Sequence, residues 1–144
     1  MNNRVICASV VALVLVAGCP QTGQSSPQLK FLGNLSSTDD GFQMNGKIQN
    51  SEIGDPPKFE NVTVYLYSEQ KELIYSEAVG SVRRQKNVSI IHDQVPEYVI
   101  INSPDFWEHD SISVNYYELS DSEGGTYSPR AVSSREAFPV QLPG

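Results

Sequence analysis

Cysteine is nearly absent from this chain of 144 residues, which has only Cys7 and Cys19. Both lie near the N-terminus, so the rest of the chain can form no disulfide and offers no thiolate ligand to a metal. Basic residues are also scarce, with 10 Lys and Arg against 17 Asp and Glu. Binding to nucleic acid depends on neutralising phosphates, so this balance argues against a nucleic-acid partner.

Long apolar runs are limited to one, from Val5 to Gly18, which contains 14 residues and no charge. An α-helix needs roughly 20 apolar residues to cross a bilayer, so this run is too short for a typical transmembrane span. It follows Met1–Arg4, which carries one positive charge, and it ends in small residues. These are the three parts of a secretory signal peptide, which we predict over residues 1–18.

The end of that run, Val16-Ala17-Gly18-Cys19, resembles the lipobox of prokaryotic lipoproteins. The resemblance implies that a lipid is attached to the Cys19 sulfur and that cleavage falls after Gly18. The mature protein would then be anchored to the cell membrane, facing outside the cytoplasm. The alternatives are an ordinary secretory signal with an incidental cysteine and an uncleaved anchor.

Residues 20–28 are polar and rich in Pro, Gly and Ser, which is typical of a flexible tether. We therefore divide the chain into the signal peptide, the lipidated Cys19 with its tether over 19–28, and a single domain over 29–144. Once residues 1–18 are removed, nine basic residues face 17 acidic ones.

From residue 29 onward, apolar and polar residues alternate with period two between turn signals. Seven such segments predict an all-β domain, an antiparallel immunoglobulin-like β-sandwich. The polar stretch near 120–135 is expected to be mobile, and 136–142 to add an edge strand. The predicted core is Val62, Val64, Leu66, Val88, Ile90, Ile100, Ile112 and Val114.

Two segments, Gly46–Asn50 and Phe59–Ser68, resemble a prokaryotic family of extracellular domains named for the motif Phe-x-Leu-Tyr-Asp, which leaves a bacterial or an archaeal source open. Val64 stands in the position of the Phe, and Ser68 in that of the Asp. The resemblance covers roughly residues 29–118. It implies a β-sandwich and no catalytic residues.

The segment Ser103–Asp110 combines aromatic and titratable side chains. Phe106 and Trp107 are candidate binding residues, because exposed aromatic side chains are enriched at contacts. Tyr65 and Tyr67 are further candidates, since their strand parity is opposite to that of the core. The alternative for Phe106 and Trp107 is a buried plug at one end of the sandwich.

The same segment supplies the residues of an enzymatic alternative, a small envelope hydrolase that would use Asp105, Glu108, His109 and Asp110. The sequence contains no zinc-protease, serine-hydrolase or phosphate-binding motif. We therefore predict no enzyme activity, no metal and no cofactor.

Asn34, Asn61 and Asn87 each begin an Asn-x-Ser/Thr acceptor pattern for N-glycosylation. They are candidate sites only in a host that glycosylates exported proteins.

Together these features favour a membrane-anchored surface lipoprotein that acts as a non-enzymatic binding or accessory module of the cell envelope. Its candidate partners are an envelope protein or a glycan. A purely structural envelope protein is the remaining alternative.

Overall fold

The computed structural model describes residues 29–51, 54, 56–108, 114–121, 125–132 and 134–143, with the backbone alone at residues 107, 108 and 121. The predicted signal peptide, Cys19 and the tether lie outside this range. Across the described part of the chain, no helix is both long and apolar enough to cross a membrane.

Eight strands and two short 3₁₀ turns make up the described structure. The 3₁₀ turns are Pro104–Glu108 and Arg135–Ala137. The strands are β1 (Leu29–Thr38), β2 (Gly41–Asn50), β3 (Phe59–Tyr67), β4 (Leu73–Val82), β5 (Gln85–His92), β6 (Tyr98–Asn102), β7 (Val114–Asp121) and β8 (Thr126–Val132). The prediction of an all-β domain is confirmed.

The strands form one antiparallel sheet in the order β4-β3-β6-β7-β8-β1-β2-β5, which is nearly closed into a barrel. β1 and β8 are joined at one narrow seam, where their ladder has the single pair Ser36–Thr126. A backbone bond from Ser37 N to the Gly125 carbonyl, 3.0 Å long, supports it. The immunoglobulin-like sandwich is therefore not confirmed, because alternation predicts strands but does not determine their order in the sheet.

The barrel interior is filled by apolar side chains from alternate positions of its strands. Met44, Val64 and Leu66 are fully buried there. Of the predicted core residues, Val62, Val64, Leu66, Val88, Ile90, Ile100 and Val114 are buried. The eighth, Ile112, lies outside the described residues.

β1 and β2 approach each other closely at the paired glycines Gly33 and Gly46. A Cβ added to Gly46 would lie 2.2 Å from the Leu32 carbonyl oxygen and 2.9 Å from the Phe31 ring. A side chain at position 46 would therefore collide with the Phe31 ring, which glycine leaves room for in the core.

A second, smaller apolar layer lies outside the barrel. Residues 134–143, which we call the strap, cross the outer face of β3, β6 and β7 with Phe138, Val140 and Leu142 buried. Phe138 packs edge-on against Tyr116, with ring centroids 5.8 Å apart. The strap is not a strand of the sheet, so the predicted edge strand over 136–142 was wrong. It explains why the run Tyr98–Ile101 is apolar on both faces.

The polar segment near 120–135 contains β8, which pairs with β7 from Val114–Val132 to Asp121–Thr126. Its composition, with Gly124, Gly125 and several serines, suggested a mobile segment. In the structure, β8 pairs with β7 on one side and with β1 on the other, so this polar sequence forms a strand of the sheet.

Candidate functional site

The aromatic segment after β6 is held against β3 by two hydrogen bonds, and a third joins two of its own residues. Ser103 Oγ donates to the Glu60 carbonyl at 2.7 Å, and Asp105 Oδ2 accepts from Glu60 N at 2.7 Å. Asp105 N in turn donates to Ser103 Oγ at 3.2 Å. Next to this contact, Asn61 has a φ of 52°, and the β3–β4 register shifts between Phe59 and Val62. The Asp105 carboxylate therefore accepts the hydrogen bond of the Glu60 N–H at a point where β3 is irregular.

Phe106 lies in the core and is 1% exposed. Its ring packs edge-on against Phe59, with centroids 5.0 Å apart. This is the arrangement expected of a plug at the barrel end, and it leaves the Phe106 ring no accessible surface. The side chains of Trp107 and Glu108, and all of His109 and Asp110, lie outside the described residues.

Tyr65 and Tyr67 point away from the barrel interior, opposite to Val64 and Leu66, and their rings are 6.3 Å apart. The strap covers this face. Tyr67 is 3% exposed, and its hydroxyl donates to the Gln141 carbonyl at 3.2 Å. Burial raises the pKa of Tyr67, and the neighbouring Tyr65 raises it further. Tyr65 is half-buried.

Arg135 joins the two ends of the strap, because its Nη2 donates a hydrogen bond to the Pro143 carbonyl at 2.8 Å. A cavity of about 560 Å³ lies against it and is lined by residues 135, 136 and 138–142. Because the strap itself supplies these residues, the cavity does not expose the tyrosines beneath.

His92 is the histidine within the described structure. Its Nδ1 accepts a hydrogen bond from Gln94 N at 3.1 Å and lies 3.5 Å from Asp93 Oδ1. Its ring lies 5.4 Å from that of Tyr75, whose hydroxyl donates to Glu77 at 2.8 Å. Within the described ranges, no three His, Cys, Asp or Glu side chains are grouped to hold a metal ion.

Carboxylates approach one another where β6 begins. Burial raises the pKa of Glu97, and repulsion from Glu118 and Glu69 raises it further. These residues lie in separate segments of the chain, so their proximity is not visible in the sequence.

The basic cluster around the β4–β5 turn binds a loop of the same chain. Arg83 Nη1 donates to the Pro56 carbonyl at 3.1 Å, and Arg84 Nη2 donates to the Gly54 carbonyl at 3.2 Å. Both guanidinium groups thus position the connection between β2 and β3.

The three glycosylation candidates, Asn34, Asn61 and Asn87, are all exposed. Asn34 and Asn87 share one face of the barrel, the outer face of β1, β2 and β5. It is a grid of four rows that cross the three strands, from Lys30–Gln49–Gln85 through Leu32–Lys47–Asn87 and Asn34–Asn45–Ser89 to Ser36–Gln43–Ile91. We call it the amide face.

Nine of the twelve residues in this grid are exposed, and Ser36, Lys47 and Gln49 are half-buried. A shallow groove of about 580 Å³ runs over its middle and is lined by Leu32, Asn45, Gly46, Lys47, Asn87, Val88 and Ser89. The alternation Gln43, Asn45, Lys47, Gln49 is visible in the sequence. The sequence does not show that β5 lies beside β2 and adds Gln85, Asn87 and Ser89 to the same face.

No protein-family model matches this chain, and neither the curated proteins nor the solved structures include a match.

Proposed function

We propose that this protein is a lipid-anchored surface protein whose β-domain acts as a non-enzymatic binding or accessory module of the cell envelope. The observation that carries the proposal is Val16-Ala17-Gly18-Cys19 at the end of a charge-free apolar run that begins after Arg4. Small residues at 17 and 18 admit a peptidase, and the Cys19 thiol is the strong nucleophile beside them.

Two lipid chains on Cys19 would be sufficient to hold the domain. Each buried CH₂ contributes about 0.8 kcal/mol, so one chain binds marginally and two bind stably. The nine residues from Pro20 to Gln28 would span about 15–18 Å as a flexible chain. The domain would therefore work close to the membrane.

The binding role is supported by how one of the candidate catalytic groups, Asp105, is used. A general acid or base needs a position next to a substrate and a pKa matched to its task. The Asp105 carboxylate instead accepts a backbone hydrogen bond of 2.7 Å. The resemblance to the Phe-x-Leu-Tyr-Asp domains is consistent with this role, since it implies no catalytic residues.

Anchoring is tested by expressing the full chain in a lipoprotein-processing host and weighing the mature protein from the membrane fraction. We expect a lipid-bearing N-terminal Cys19. Cys19→Ser should leave the protein unprocessed or released, while Cys7→Ser, in the predicted signal peptide, is the matched control and should be processed normally. A wild-type protein found without lipid in the culture medium would refute anchoring.

The hydrolase alternative is tested with His109→Ala and Asp105→Asn in the anchored protein. We expect neither variant to change the turnover of envelope polysaccharide or peptide substrates, because the wild type should show none. A wild-type turnover that His109→Ala abolishes would replace the binding role with an enzymatic one.

A further inference from the structure

The amide face differs in composition from the rest of the molecule. Residues 29–144 contain 13 Asn and Gln, and six of them, Asn34, Gln43, Asn45, Gln49, Gln85 and Asn87, lie among the twelve residues of this face. The face contains Lys30 and Lys47 and no carboxylate, although the chain has 17 Asp and Glu. A surface that is both rich in amides and free of acid stands out on a protein of this charge.

We infer that the amide face binds an acidic polysaccharide lying along the strands. Each carboxamide offers donors and an acceptor at once, which matches a hydroxyl group that also donates and accepts. Rows two residues apart along a strand are about 6.8 Å apart, and neighbouring strands about 4.8 Å. Four rows therefore give a strip about 20 Å long and 10 Å wide, with polar groups at regular intervals.

The charge arrangement selects an anionic polymer. Lys30 and Lys47 occupy adjacent rows of the face, on neighbouring strands. The Asp39-Asp40 turn and Asp93 lie beyond the fourth row, at the opposite end of these strands and about four rows from the Lys30 row. That separation exceeds the Debye length of about 8 Å at physiological salt, so those acids are largely screened from the lysines.

A protein partner fits this face less well. The cores of protein interfaces are enriched in aromatic residues, Met and Arg and depleted in Lys. The grid contains none of the enriched types, and its large apolar side chains, Leu32 and Ile91, lie in its second and fourth rows. A protein occupant is nevertheless distinguished by the experiment below.

The test is affinity electrophoresis of the full-length mature protein in gels containing polygalacturonate, with dextran as a neutral glycan and polyglutamate as a non-glycan polyanion. We expect retardation by polygalacturonate that weakens at high salt. Lys47→Glu should weaken it about tenfold, and Asn45→Ala combined with Asn87→Ala about five- to tenfold, since each removes hydrogen bonds to the polymer. Lys30→Glu provides a second charge reversal if Lys47→Glu does not fold.

Lys71→Glu is the matched control, because Lys71 is exposed in the β3–β4 turn, away from the face. It should bind polygalacturonate as the wild type does. Equal loss in Lys71→Glu, equal retardation by polyglutamate, or no retardation by polygalacturonate would overturn the inference. In a pull-down from envelope extract, a protein captured by the wild type but not by the Asn45→Ala/Asn87→Ala double variant, without polygalacturonate binding, would also overturn it.

The inference rests on the proposed binding role, and its failure can be told apart from a failure of anchoring. A mature protein without lipid on Cys19 refutes the anchor and leaves the electrophoresis unchanged. The intact mass provides one further check, because a glycan attached to Asn34 or Asn87 would occupy the face and overturn polymer binding there.

Discussion

Tyr117→Phe tests how the barrel is held together next to its narrow seam. The Tyr117 hydroxyl accepts a hydrogen bond from Phe31 N at 2.9 Å, between residues 86 apart in the sequence. Phe31 lies on β1, and the single residue pair between β1 and β8 is further along the strand, at Ser36–Thr126. A tyrosine hydroxyl thus takes the place of a carbonyl from a neighbouring strand.

The magnitude follows from the burial of both partners, since Phe31 and Tyr117 are each 8% exposed. Phenylalanine keeps the ring, which packs at 6.5 Å from that of Phe31, and removes only the acceptor. A buried N–H left without an acceptor costs about 1–3 kcal/mol. At about 4 °C per kcal/mol for a domain of this size, that corresponds to roughly 4–12 °C in melting temperature.

The assay is equilibrium unfolding in urea, with amide hydrogen exchange at Phe31 as a local readout. Tyr65→Phe is the matched control, because Tyr65 is half-buried and no hydrogen bond of its hydroxyl is found among the described residues. It should change stability by less than about 0.5 kcal/mol. Equal effects of the two variants, or unchanged exchange at Phe31, would refute the idea that Tyr117 supports the seam.

Phe138→Ala should lower the free energy of unfolding in urea by about 2–4 kcal/mol. This is below the upper end for a buried Phe, because the strap can detach. A change under about 1 kcal/mol would mean that the strap does not cover Tyr116. Gly46→Ala should cost about 1–3 kcal/mol or more, because its Cβ would meet backbone atoms; wild-type stability would contradict the close approach. Glu97→Gln should raise stability at neutral pH by no more than about 1 kcal/mol, since the raised pKa of Glu97 marks a carboxylate destabilised by folding, and the gain should vanish at acid pH. Burial raises the pKa of Tyr67, Tyr98, Tyr116, Tyr117 and Tyr127, so their contribution to stability should be complete below about pH 10 and lost as the pH rises further; urea midpoints that stay constant to about pH 11 would contradict it.

The candidate site shows where reasoning from the sequence succeeds and where it fails. Strand parity correctly placed Tyr65 and Tyr67 on the face opposite to Val64 and Leu66. It could not show that residues 134–143, about 70 positions later, would cover that face. The sequence pointed to Phe106 either as a binding residue or as a buried plug, and its burial depends on Phe59, a residue of another strand.

The sequence by itself determined the class of the domain and most of its core, because side chains on a strand alternate between two faces whatever the strand's neighbours are. It also determined the pattern from Val16 to Cys19 on which the proposed anchor rests. The tertiary structure decided the order of the strands, the position of the strap and the assembly of the amide face. Each of these depends on contacts between distant segments, either strand pairing such as β2 with β5 or the packing of the strap against Tyr116 and Tyr67. Local propensity does not specify such pairing, since it results from many weak contacts that form only when the whole sheet is closed.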